Sequence, residues 1–176
     1  RHNVNVVRER IGPKPGIVAI VKANAYGHGS TQVAGAIAGM VELFGVANVE
    51  EARELNELQR DILLLSPSAP GERQEVVARR CIATVSSAAE ASDFTGGRIN
   101  FKVDTGMGRI GCWEEDALEE LRAVVRLKNV EVHSISTHLP VPDEDASFTL
   151  AQLNRFAEMA AKFRTLAPAA KIHSLN

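Results

Sequence analysis

Five apolar residues, IVAIV (17–21), run into a lysine, Lys22, and the chain then turns through ANAYGHG (23–29). A lysine at the mouth of an apolar strand has an amine that can attack an aldehyde and form a Schiff base. Gly27 and Gly29 permit a tight turn there, and the turn carries the only tyrosine of the chain, Tyr26. A second concentration of reactive types is FKVDTGMGRIG (101–111), with Lys102, Asp104 and Arg109. Arg109 offers a planar fork suited to a carboxylate or a phenolate. His138 in STHLP (136–140), and His173 and Asn176 in IHSLN (172–176), stand at or within later apolar runs. Taken singly, each has an ordinary explanation. The lysine lays its stem on apolar surface with its head in water, the arginine pairs with Glu114 or Glu115, and the histidines are packed and hydrogen-bonded.

These groups need elements to hold them. Seven apolar runs read as strands: 17–21, 43–47, 62–65, 81–85, 99–103, 130–135 and 171–175. They alternate with helical patterns, and most are continuously apolar, which predicts a parallel sheet covered by helices. Asn48 with Glu51, and Ser87 with Glu90, have the spacing of a capping box. The clearest helix covers 149–166, with Leu150, Leu153, Phe156, Met159, Ala160 and Phe163 on one face and Thr149 and Gln152 boxing its start. Residues 1–10 read as a helix already under way. An open doubly wound sheet and a (β/α)8 barrel both fit the alternation. Polar residues follow four strands (Lys22, the 104–109 segment, His138 and Asn176), and a barrel gathers all such ends at one mouth, whereas an open sheet collects only those at its switch point. The expected fold class is therefore α/β, an incomplete TIM (β/α)8 barrel of about seven βα units. Seven strands where eight are needed, and a chain that does not begin with Met, read as part of a longer protein.

Two local patterns invite other readings. GMGRIG (106–111) matches the dinucleotide-binding spacing, but the next strand ends in Ser136, Thr137 and His138 rather than in an acid, and Glu131 lies at its wrong end. Asp104, His138 and His173 could in principle ligate a divalent cation in a barrel hydrolase, though no close ligand pair such as HxH accompanies them. No metal is expected.

The full wording of the motifs resembles one family. VKANAYGHG (21–29) resembles the signature of alanine racemases, FKVDTGMGRIG looks like their second motif, and STHLP with AQLNRF (151–156) looks like the segment after the sixth barrel strand. IHSLN resembles the start of their segment after strand seven, and the order and spacing also match. The resemblance implies a fold-type III barrel that binds pyridoxal 5′-phosphate, with Lys22 both as the carrier of the cofactor and as a catalytic base. It implies that Tyr26 and Asn176 serve the phosphate, that His138 and His173 line the cofactor pocket, and that Arg109 meets the phenolic oxygen and the substrate carboxylate. Lys102 matches a position that is carbamylated in many members. Asp104 is expected to organise its turn rather than to react. His28 has no assigned role, and His133, inside a strand, is expected to be structural.

Racemisation needs an acid or base on each face of the substrate Cα. The only tyrosine is Tyr26, already committed beside Lys22, so a second base is not among these residues. The resemblance implies that it is a tyrosine from the C-terminal β domain of a partner, in a homodimer with a shared active site. Residues 1–176 are then a partial N-terminal barrel domain that lacks that β domain and is inactive alone. The expected activity is interconversion of L- and D-alanine for peptidoglycan; serine and broader racemases share the barrel. A single-barrel protein that stores the cofactor without catalysis is the alternative.

Composition excludes little else. The formal charge is −2 and the apolar fraction 45%, so no broad basic surface for nucleic acid is expected. Apolar runs are too short to span a bilayer, and the first ten residues lack the apolar core of a signal peptide. Cys81 and Cys112 read as reduced, structural thiols, and a cytoplasmic, bacterial location is expected.

Overall fold

The structure, a computed structural model, describes residues 1–174 in full and the backbone of Leu175. Two compact units, Arg1–Ala83 and Thr84–Asn176, divide the chain within a strand.

The first unit opens with helix α1 (His2–Ile11). Strand β1 (Val18–Ile20) follows, then a short helical segment α2 (Lys22–Tyr26), helix α3 (Ser30–Ile37) and strand β2 (Leu43–Val46). Helix α4 (Val49–Glu54), strand β3 (Ile62–Leu64), helix α5 (Arg73–Ala78) and the start of strand β4 (Ile82–Val85) complete it. The strands pair in chain order and in parallel, with Ala19 beside Phe44, Gly45 beside Leu63 and Leu63 beside Ile82. Each parallel pair is bridged by helical chain, as the alternation requires. β2 and β3 are buried along their whole length, which is why they read as unbroken apolar runs. β1 departs from that expectation. All three of its residues are half-buried, because among the described residues it pairs only with β2 and so has one open edge.

The second unit continues β4 into helix α6 (Ala88–Ser92), strand β5 (Arg98–Asp104), the two-residue strand β6 (Cys112–Trp113) and helix α7 (Ala117–Val124). Strand β7 (Glu131–His138), helix α8 (Ala146–Leu166) and strand β8 (Lys171–Leu175) follow. β5, β7 and β8 are parallel neighbours in that order, and β6 adds to β5. Ile99, Phe101 and Val103 are fully buried on one face of β5, while Asn100, Lys102 and Asp104 share the other.

Three expectations are corrected here. β7 runs on through Ser136, Thr137 and His138, so His138 is the last residue of a strand rather than a residue after one. Ser134 and Ser136 lie opposite Asn100 and Lys102 and are buried with them, so polarity does not end the strand. α8 begins at Ala146, not Thr149: the Asp145 carboxylate accepts from Phe148 N at 2.9 Å and caps the helix. Thr149 and Gln152 are buried inside the helix, and Gln152 turns toward Thr105 instead of closing a box. The paired caps at Asn48 and Ser87 form by half. Each accepts from the amide three residues on, but Glu51 and Glu90 send their carboxylates to Ala47 N and Ser86 N, the amides just before the caps. Among the described residues no helix is long and apolar enough to cross a membrane.

Candidate active site

Lys22 and Tyr26 belong to the first unit, on one turn after β1. Val21 is buried, Lys22 is half-buried, and Tyr26 is 62% exposed with its ring free to meet a ligand. The glycines are not what makes this turn. Ala23, Asn24, Ala25 and Tyr26 all have φ between 51° and 55°, so four consecutive non-glycine residues wind left-handed before Gly27 and Gly29 extend the positive φ. Left-handed L-residues cost about 1–2 kcal/mol each, so the surroundings must hold the turn in place.

Its hydrogen bonds account for that support. Ala25 N donates to Val21 O, Gly27 N to Ala23 O and Asn24 O, and Gly29 N to Asn24 O. The Asn24 side chain accepts from Ser30 N at 2.8 Å, and Ser30 Oγ donates to Glu54 at 2.6 Å. Glu51 accepts from Ala23 N at 2.9 Å with one oxygen and from Ala47 N at 2.7 Å with the other. Sequence reasoning took Glu51 only as a helix cap; its i,i+3 spacing to Glu54 places both carboxylates on one face of α4.

The second unit gathers the other groups at the ends of β5 and β7. Asp104 is 4% exposed, and its two oxygens accept from Gly106 N at 2.8 Å and Arg109 N at 2.9 Å. Burial pushes its carboxyl up, but the backbone amides of Gly106, Gly108, Arg109 and Met107 outweigh that and hold it below the ordinary carboxylate range. Asp104 is thus the organiser of the turn, as its position suggested, and both oxygens are already engaged by backbone amides rather than open to a cation. Gly111 is required by space as well as by its φ of 137°: a Cβ there would lie 2.7 Å from Asp104 N and 2.9 Å from Val103 C. The GMGRIG segment leads into β6 and only later into α7, so it does not open a helix as a dinucleotide turn does.

Arg109 is exposed, and Glu114, which local sequence offered as its partner, is bonded to Arg155 at 3.0 Å. Arg155 also donates to Thr105 O at 2.6 Å, and Thr105 and Thr137 join their hydroxyls at 2.8 Å. These contacts tie the Arg109 turn to α8 and to the end of β7, where His138 is half-buried.

Lys102 is 5% exposed and points to the face that carries a polar layer missed in the sequence. Asn100 Nδ2 donates to Thr84 Oγ1 at 3.2 Å and Ser136 Oγ at 2.9 Å, and Ser134 Oγ donates to Asn100 Oδ1 at 2.9 Å. The signal was present as alternation: N-F-K-V-D and S-I-S-T-H are half-polar strands, not continuous apolar ones.

His133 is 8% exposed, and Lys171 Nζ lies 3.4 Å from its Nε2, which makes it a packed strand residue. Neither ring nitrogen of His173 has a hydrogen-bond partner among the described residues. Burial, with a smaller contribution from His133, pulls the His173 pKa down to about 4 from the ordinary 6.5. The neutral ring is favoured in the folded chain, so the unfolded chain binds the proton first. Stability contributed by His173 is complete above about pH 6.5 and is lost as pH falls toward about 4, by about 3 kcal/mol in all. Thermal denaturation across that range is expected to show wild type losing stability faster than His173→Gln; parallel curves would refute this. Burial, aided by Glu120 and Asp116, raises the Cys112 thiol to about 11, which leaves it no thiolate to attack with at neutral pH. Asn176 lies outside the described residues.

In the first unit, the half-buried amine of Lys22 and the exposed phenol of Tyr26 suit a ligand with an aldehyde and an anionic group. In the second unit, the exposed Arg109 has a planar fork that suits an anion. Pyridoxal phosphate carries groups of both kinds.

Residues 1–176 match the family model for the N-terminal domain of alanine racemase. Alanine racemase of Chlorobaculum tepidum is 38% identical over 93% of this chain and 46% of its own length. That of Desulforamulus reducens is 39% identical over 89% of the chain and 46% of its length. Among solved structures, alanine racemase of Clostridium difficile superposes with a TM-score of 0.94 at 25% identity, covering all of this chain and 52% of that one. The chain thus spans about half the length of the relatives it matches. The fold class is the α/β barrel, represented among the described residues by the parallel strands β1 to β5, β7 and β8, with β6 added to β5, and not the open doubly wound sheet.

Proposed function

The chain belongs to the alanine racemase family through that family's N-terminal domain, and from that premise we propose that the protein is a pyridoxal-phosphate-dependent racemase interconverting L- and D-alanine. The observation that carries this reading is Lys22 at the end of β1, on a left-handed turn that also presents Tyr26.

Lys22 would hold the cofactor through its amine and, once displaced by substrate, would take or return the Cα proton on one face. The bound cofactor supplies an electron sink for the charge left at Cα. Tyr26 would donate its hydroxyl to the phosphate, and Asn176 would serve the same group. Arg109, its backbone fixed by Asp104, would direct its fork at the phenolic oxygen and the substrate carboxylate. His138 would line the cofactor, and Lys102, carbamylated, would orient Arg109 from the buried polar face of β5.

Residues 1–176 would be the cofactor-binding barrel domain. A further β domain would provide the opposing base, a tyrosine acting across a homodimer. A cytoplasmic enzyme supplying D-alanine for peptidoglycan follows from that activity. The test is racemisation by the full-length protein of a panel including alanine, serine and histidine. Alanine is expected to have the highest kcat/KM, with full dependence on added pyridoxal phosphate. Binding of the cofactor at Lys22 with no racemisation of any amino acid would refute the enzyme reading and favour a cofactor-storing barrel.

A further inference from the structure

We propose that Glu51 is a positioning residue for Lys22, setting the direction in which the lysine stem leaves β1. The proposal rests on the role of Lys22 given above. The Glu51 carboxylate bridges two peptide units. One is that of Ala47, just after β2; the other is that of Ala23, whose N–H belongs to the same rigid peptide plane as the Lys22 carbonyl. Fixing that N–H fixes ψ of Lys22, the last freedom before the left-handed residues begin.

A cap alone does not account for this contact. Glu90 occupies the equivalent place in α6, with Ser87 as N-cap, and engages Ser86 N as Glu51 engages Ala47 N. The same arm, to the amide just before the N-cap, is thus present at both helices. The bond to Ala23 is an addition, reaching 28 residues back in sequence to the turn that carries the lysine. Glu54, three residues on, supports the far end of the same turn through Ser30, whose amide holds Asn24. α4 therefore grips the turn at both ends, and the grip nearest the amine is Glu51. A left-handed run does not persist unless its surroundings over-determine it, and a bond from an ionised acceptor is the strong kind.

The test uses full-length protein carrying Glu51→Gln or Glu51→Ala, with Glu90→Gln as a capping control. Glu51→Gln keeps size and one acceptor oxygen but turns an amide donor toward one of the two N–H groups. Four readouts are compared: the cofactor Kd, borohydride fixation of cofactor on the Lys22 peptide, kcat and KM for alanine, and hydrogen exchange at the Ala23 amide. In Glu51→Gln, cofactor Kd is expected to rise and kcat to fall, each on the order of tenfold. KM for alanine should stay within about twofold, since a misplaced base is felt in the transition state. Ala23 exchange should accelerate in the cofactor-free protein as well. Glu90→Gln should lower Tm without moving Kd, kcat or Ala23 exchange. Wild-type Kd, kcat and exchange in folded Glu51→Gln would overturn the proposal, as would equal losses in Glu90→Gln. If wild type itself fixes no cofactor on Lys22, the function proposed above fails, while Ala23 exchange still decides whether Glu51 holds the turn.

Discussion

Lys22→Ala in the full-length protein is expected to abolish borohydride fixation of pyridoxal phosphate and to lower alanine racemisation by at least about 10³-fold. Both functions proposed for Lys22 depend on one amine, so no neighbouring group substitutes. Stability should change little. The Lys22 side chain is half-buried, and the turn around it is held by backbone amides, Asn24 and Glu51 rather than by the amine. The variant should therefore keep its Tm within a few degrees and its Ala23 exchange rate. Racemisation within tenfold of wild type, with the same Tm, would remove Lys22 from the chemistry.

Asp104→Ala should have the largest effect on stability. Asp104 is almost fully buried and satisfies the amides of Gly106 and Arg109. Truncation leaves both without their acceptor, at about 1–3 kcal/mol each, so a loss of about 3–5 kcal/mol is expected, or roughly 10 °C in Tm at this size. Asp104→Asn keeps one acceptor and should fall between. The pH dependence has a definite sign. The folded carboxyl lies below its ordinary value, so its contribution is fully present above the ordinary carboxylate range and disappears as pH falls through the depressed value. The gap in stability between wild type and Asp104→Asn should thus close on acidification; a gap that widens below pH 4 would contradict the assignment. Activity should fall with the turn, because Arg109 is carried on the backbone that Asp104 holds.

Much of this was legible in residue order. Apolar runs alternating with helical periods specify parallel βα units, because continuous burial and a 3.6-residue period are local properties. The placing of Lys22 at a strand end and of Asp104 just before its glycine turn was equally readable, since both follow from a few adjacent residues. The extent of β7 and the true start of α8 were not. Ser134, Ser136 and Gln152 look like surface residues until Asn100 and Thr105 are placed opposite them.

The sequence by itself determined which chemistry is possible: one amine at a strand end, one tyrosine, one arginine in a glycine turn. Only the tertiary structure decided how those groups are held. Four non-glycine residues wind left-handed after Lys22, against their own preference, because a carboxylate 28 residues away bonds the first of their amides. Local propensity could not have indicated that turn, since the contact that stabilises it is non-local and the glycines that suggested it lie beyond its end.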